Sequence, residues 1–479
     1  MPAWLSQLLP ILILLAVISF IVGRLPKIDI GHSDAFVARR RMNWLPLGLS
    51  YAFLYMGRYN LTVSKNALGD LMTIADFSQI FLVGTVTYGF SFLINGPLTD
   101  RLGGRTTMLF ATSGSAVANL LMGVATWDLL TGSLGILHKG PSVALVFSLL
   151  YALNMYFQSF GAVSIVKVNA AWFHVRERGV FGGIFGILIS LGVYFAYDWG
   201  RLIVQNAPTV TPDSEQKAVW WVFFIPAALL LTFCAATFTW VRDTPGQTGH
   251  PDFDTGDASS GDDGPRLGVF EVAKKMLRNP IILTIAAIEF CSGFLRQAIM
   301  QYGYIFAKQT GHMADFAFAN WGMMLCIAGI LGGMFAGVIS DRLFQSRRGP
   351  VSAFLYGGMV VGALVLLGAL NVVAGMVGWI VVGMSLCIIG VHGMLSGTAS
   401  MDFGGKKNVG VAVGIIDGLV YLGSGAQAGV YGALLPKGDA AKLVDNWMVW
   451  PVVMLPVAII GLVLASRLWN AKPKGAGGH

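Results

Sequence analysis

Charge is what this chain has least of. Only 12% of its 479 residues are Asp, Glu, Lys or Arg, while 55% are apolar. A soluble domain carries about 25% charged residues, and so much apolar surface exceeds what globular cores can bury, so soluble domains are excluded and the bilayer is the expected solvent. Cysteine is scarce too: four, none at metal-ligand or disulfide-framework spacing, which leaves packing as their role. Neither a phosphate-binding P-loop nor a nucleophile–base pair stands out beyond chance, so no ATP-driven or enzymatic function and no cofactor is expected.

What the chain has is apolar runs. Runs of roughly twenty residues, enough to cross about 30 Å of hydrocarbon as helix, begin at 4–23 and 43–62 and end at 447–468, thirteen in all. The 61 glycines suit an all-α polytopic membrane protein, because membrane helices approach closely over small residues. Of the 32 lysines and arginines, 22 fall in one alternate set of loops and seven in the other, with Arg58, Lys167 and Arg296 inside spans. The richer set is expected to be cytoplasmic, which puts the N-terminus outside and the C-terminus inside. The net charge of +8 then reads as loops facing anionic lipid, not as nucleic-acid binding. The first span lacks a basic start and a small-residue cleavage pattern, so it reads as a retained helix in preference to a signal peptide.

The long polar stretch 242–279, with PDFDTGDASSGDDGP at its centre, reads as a flexible linker. It divides the chain into an extra helix with a basic linker (1–42), a first six-helix half (43–241), the linker (242–279) and a second half with a tail (280–479). Two features recur across it: Arg58 and Arg296 are 238 residues apart, and Asp100 of GPLTDRLGGR and Asp341 of GVISDRLFQSRRG are 241 apart. The halves therefore look like repeats, with a binding site expected at their interface. In the first copy, Asp100, Arg101 and Arg105, and in the second, Asp341 and Arg342, are candidates for contacts that hold one rocking state.

An arginine at the centre of a membrane helix costs about 2.5–3.5 kcal/mol, so Arg58 and Arg296 need a purpose. A guanidinium stays protonated and presents a planar fork of donors, so two of them facing each other make a dianion clamp; alternatively each pairs with an acid, Glu289 or Asp417, for folding. Tyr51, Tyr55 and Arg58 share a helix face, their phenols either orienting anion oxygens or packing. Lys167 is either a third cation of the site or a lysine reaching the interface. Glu289 and Asp417 either neutralise an arginine until substrate arrives or carry a proton. His392 either titrates usefully or is simply hydrogen-bonded.

With these residues in view, the chain resembles the organophosphate:phosphate antiporter family of the major facilitator superfamily across about 43–468. The resemblance is carried by Arg58 with Asn60, TYGFSFLINGPLTDR at 87–101, RERG at 176–179, RDTPGQTG at 242–249, FLRQAIMQY at 294–302 and DFGGKKNVGVAVGIIDGLVYLG at 402–423. It implies a major facilitator fold of two six-helix repeats in a bacterial-type inner membrane; the extra first helix is an addition that familiar members lack, and a monomer is expected. It also implies phosphate binding by Arg58 and Arg296, with Tyr51, Tyr55, Tyr88 and Tyr421 around it, and exchange of a small organic phosphate for inorganic phosphate. The chain departs from the pattern at Phe92 and Ala171, where the family has basic residues, at Tyr59, and at Gln301, where it has an acid. Some relatives sense sugar phosphates instead of transporting them, and proton-coupled uptake of another organic anion is the third possibility.

Overall fold

The computed structural model describes residues 12–16, 18–20, 31–139, 142–174, 177–255, 271, 274, 277–278, 280–344, 348–370 and 372–470. Helices account for nearly all of them. The first half comprises α1 (Asp34–Leu68), α2 (Ile74–Leu102), α3 (Gly104–Thr131), α4 (Val143–Trp172), α5 (Arg178–Tyr194, continued through a π-helical Phe195–Trp199 into Gly200–Asn206) and α6 (Trp221–Trp240). The second comprises α7 (Pro280–Met300, continued by Tyr302–Gln309), α8 (Trp321–Leu343), α9 (Arg348–Ala369), α10 (Val377–His392, ending in a π-helical Gly393–Thr398), α11 (Ala399–Leu434) and α12 (Val449–Arg467). Among the described residues nine helices are long and apolar enough to cross a membrane, and Trp321–Ala336 is a shorter apolar one. The other four of the thirteen expected spans are 4–23, which lies mostly outside the described residues, this shorter helix of α8, and α1 and α11, which carry charged residues such as Arg58, Lys65 and Asp417.

Two linkers are more ordered than their composition predicts. The basic segment before the first core span is helical from Asp34, where the Ser33 hydroxyl accepts from Phe36 N at 3.3 Å and caps α1. Its Arg40 makes a bidentate pair with Glu177 of RERG at 2.9 and 3.0 Å, and its Phe36 stacks on Trp172. The linker after α6 begins folded: Asp243 accepts from Arg105 N at 2.8 Å at the start of α3, and a 3₁₀ turn spans Pro245–Thr248. Residues 256–270 lie outside the described residues, as does most of the expected first span. Within that span 12–16 and 18–20 are helical, and Leu14 is buried against Ile187 and Tyr194 of α5 and Met323, Cys326 and Ile330 of α8. Cys234, Cys291, Cys326 and Cys387 are free thiols.

The halves meet along α2–α11 and α5–α8. At one end, that of the 69–73 and 310–320 loops, polar contacts close the seam. Asn66 donates to the Tyr304 carbonyl (3.1 Å), Ser78 and Tyr302 share a hydrogen bond (2.7 Å), and Thr62 bonds to Gln301. Asp198, in the π segment of α5, accepts from Gly322 N (3.0 Å) and Met323 N (2.8 Å) and so caps α8 across the seam. Midway, backbone meets backbone: a Cβ on Gly89 of α2 would lie 2.9 Å from the Gly418 carbonyl oxygen of α11.

Because that neighbour is backbone, Gly89→Leu is expected to splay α2 from α11 and destabilise by about 1–3 kcal/mol. The apparent unfolding temperature in detergent should fall by several degrees. Gly368→Ala on α9, where nothing lies within 4 Å, should leave it unchanged.

Candidate functional site

The charge that α1 carries into the bundle is held by three other helices. Arg58 is 1% exposed. Its Nε donates to Gln158 Oε1 of α4 at 2.8 Å, Nη2 to the Tyr88 hydroxyl of α2 at 2.8 Å, and Nη1 to the Tyr421 hydroxyl of α11 at 2.7 Å. The guanidinium also lies over the rings of Tyr55, Tyr88 and Tyr421, at 4.8, 4.5 and 5.4 Å. All these partners are neutral. They satisfy hydrogen bonds but leave the positive charge uncompensated.

Arg296 approaches the same place from α7. It is 4% exposed and lies over the Tyr421 ring at 5.7 Å, yet its Nε and Nη2 make no hydrogen bond. One α11 tyrosine thus stands between two guanidiniums from opposite halves. Beside them, Gln297 of α7 donates to the Tyr59 hydroxyl of α1 at 3.0 Å. Tyr51 sits one turn back, edge-on to Tyr55 at 5.3 Å. Phe92, which replaces a basic residue of the resembled family, packs its ring on Tyr88 and Tyr421.

Several expected placements change. Lys167 is not beside the arginines: its Nζ lies 2.6 Å from Asp100 Oδ1, nine residues along α4 from Gln158, or about 13 Å at 1.5 Å per residue. The acid of the GPLTDR motif is its partner. Glu289 and Asp417 do not pair with an arginine either. Glu289 Oε2 lies 2.9 Å from His392 Nδ1, and Asp417 accepts from the Ser396 hydroxyl. The gating candidates of the first half make contacts within that half: Arg105 donates to the Phe238 carbonyl at 2.6 Å and covers its ring, while Arg101 is exposed. The side chains of Asp341 and Arg342 lie outside the described residues.

Gln158, Gln297 and Asp198 were missed by the sequence reading. Asn154 and Gln158, four apart in the apolar run YALNMYFQSFG, share one helix face and could have been found as a polar stripe. Asp198 offers no such signal, because its partners are backbone amides.

The pairing of Lys167 with Asp100 is testable. Lys167→Met and Asp100→Asn should each lower stability by about 1 kcal/mol, and the double variant should lose no more than either single one. Additive shifts in the apparent unfolding temperature would contradict the contact.

Known proteins resemble this arrangement. A family model of the Major Facilitator Superfamily matches residues 47–428. The membrane sensor protein UhpC of Salmonella typhimurium is 27% identical over 452 residues, covering 91% of this chain and 93% of that protein. The glycerol-3-phosphate transporter of Bacillus subtilis is 24% identical over 463 residues (93% and 96%), and a probable hexose phosphate transport protein of Chlamydia trachomatis 24% over 456 residues (90% and 91%). Their names agree with the resemblance that the motifs carry. Among solved structures, a bacterial homologue of the human lysosomal transporter Spinster, inward-facing and unoccupied, matches with a TM-score of 0.64 at 13% identity, covering 91% of this chain and 98% of that one; it shares the fold. Apolar helices, family match and shared fold agree: the chain is a multi-pass membrane protein, a transporter-class protein and not an enzyme, and it belongs to the Major Facilitator Superfamily.

Proposed function

We propose that the chain is a secondary antiporter that exchanges a small organic phosphate for inorganic phosphate by alternating access, with Arg58 and Arg296 as the phosphate clamp. The observation that carries this reading is the meeting of two buried guanidiniums from opposite halves at Tyr421, one held by neutral oxygens and the other with two buried donors unpaired. A phosphate dianion supplies the missing charge and accepts from both forks. The relatives named as glycerol-3-phosphate and hexose phosphate transporters support the phosphate ester as substrate.

The same geometry explains why exchange, and not one-way flux, is expected. The two guanidiniums lie 5.4 and 5.7 Å from the same Tyr421 ring and so at most about 11 Å apart, where unit charges at an effective dielectric of about 20 repel by at least about 1.5 kcal/mol. Without an anion between them, the arginines oppose the occluded state through which the halves must pass; with one, they are drawn to it. Rocking is then tied to occupancy on both journeys. On this reading the loop set richer in lysine and arginine is cytoplasmic, the N-terminus outside and the C-terminus inside the inner membrane, and the protein acts as a monomer. The seam closed by Asn66, Ser78 and Asp198 is then the outer one, so the conformation described is shut to the outside. Asp100, Arg101 and Arg105, with Asp341 and Arg342, keep a proposed gating role, in the first half by stiffening that half as one body.

A second reading, a sensor of phosphorylated metabolites, is favoured by the likeness to UhpC. One experiment separates the two. In proteoliposomes loaded with inorganic phosphate, wild type should take up labelled phosphate by counterflow, and Arg58→Lys or Arg296→Lys should reduce it at least 100-fold, because an ammonium cannot reproduce a two-pronged fork. Full activity in either variant contradicts the clamp. Phosphate binding without counterflow selects the sensor, and substrate-driven acidification of the lumen selects proton coupling.

A further inference from the structure

Two turns from the clamp, the second half presents acceptors where the clamp presents donors. Glu289 precedes Arg296 by seven residues on the same face of α7, about 10 Å along the axis. It is 0% exposed; one carboxylate oxygen faces His392, and on the other side only the Ser292 hydroxyl of the same helix is at hand. Asp417 precedes Tyr421 by one turn of α11, bonds to Ser396, and has His392, Glu289 and Arg296 as its titratable neighbours. Helices α7 and α11 therefore lay out one polar strip, running from Arg296 and Tyr421 to Glu289 and Asp417.

The strip holds two carboxylates, and one histidine, His392, is bonded to the first of them, Glu289. No lysine or arginine forms an ion pair with either acid among the described residues. A ligand with its phosphate on Arg296 lays its organic part along this strip and meets oxygen acceptors. A second anionic group there is repelled. A hydroxyl finds only a hydrogen bond there, whereas an ammonium finds a hydrogen bond and, by its charge, holds an acid ionised in that buried place.

We propose that the site takes a zwitterionic phosphate ester, a short aminoalkyl phosphate, with its phosphate between Arg58 and Arg296 and its ammonium on Glu289 and Asp417. This rests on the phosphate clamp proposed above and names the substrate class that the clamp leaves open. His392 is a positioning residue that orients the Glu289 carboxylate through Nδ1.

The test uses two probes of nearly equal shape, 2-aminoethyl phosphate and 2-hydroxyethyl phosphate. Each competes against labelled inorganic phosphate in proteoliposomes of the full chain. In wild type the amino compound should compete at a concentration at least tenfold lower. Glu289→Gln or Asp417→Asn should shrink that ratio to threefold or less, whatever happens to the absolute rate. Because a variant can fail to fold, the wild-type ratio is also read from the ligand-induced rise in unfolding temperature in detergent. Equal or reversed potency in wild type overturns the inference, as does an unchanged ratio in both variants when they are folded. Competition by neither probe, together with no binding of inorganic phosphate, removes the clamp and this inference with it; phosphate exchange without a preference for the ammonium overturns this inference alone.

Discussion

Two positive charges inside a membrane bundle, bonded only to neutral oxygens or to nothing, are the constraint around which the rest of this chain is arranged. A buried guanidinium is tolerated if each of its donors is met. Four helices converge to do this for Arg58: α1 brings the charge, and α4, α2 and α11 bring Gln158, Tyr88 and Tyr421. Their meeting fixes where the halves cross, since Tyr421 belongs to the second half and Arg58 to the first. Arg296 then has a phenyl ring beside it and two donors unpaired. Neutral partners matter because they bind the donors without cancelling the charge, which leaves an anion something to gain.

The remaining contacts divide into those that make each half a body and those that join the bodies. Within the first half, Lys167 with Asp100, Arg40 with Glu177 and Asp243 with the start of α3 tie helix ends together. Across the seam, hydrogen bonds gather toward one end, and the glycine approach of α2 to α11 lies nearer the middle. On the proposed rocking mechanism such a seam opens by breaking this one cluster of hydrogen bonds. Leu14, buried between α5 and α8, sits across the same seam.

Much of this was legible in the sequence, for physical reasons that can be named. Arg58 and Arg296 stand out because intramembrane charge is expensive and rare, and their repeat spacing put them in opposite halves. Tyr88 and Tyr421 came only through the resemblance, since a tyrosine in an apolar span has many uses. Lys167 was misplaced because depth along a helix says nothing about which neighbouring helix supplies a partner; Asp100, on α2, lies 67 positions away. Glu289 is open in the sequence between neutralising an arginine and carrying a proton, and the structure sets it against His392, from a helix whose rotation no local pattern reveals. The folded start of the 242–279 linker was hidden because its order comes from Asp243 accepting from the Arg105 amide of α3, a tertiary contact within polar, turn-rich sequence.

The central claim is that Arg58 and Arg296 hold one phosphate group between them. It is tested most directly by the affinity of purified protein for labelled inorganic phosphate in wild type, Arg58→Lys, Arg296→Lys and the double variant. If both forks grip the same anion, the losses are non-additive: either single variant should lose at least 100-fold, and the double variant little more. Independent, additive losses, or near wild-type affinity in either single variant, would contradict the account.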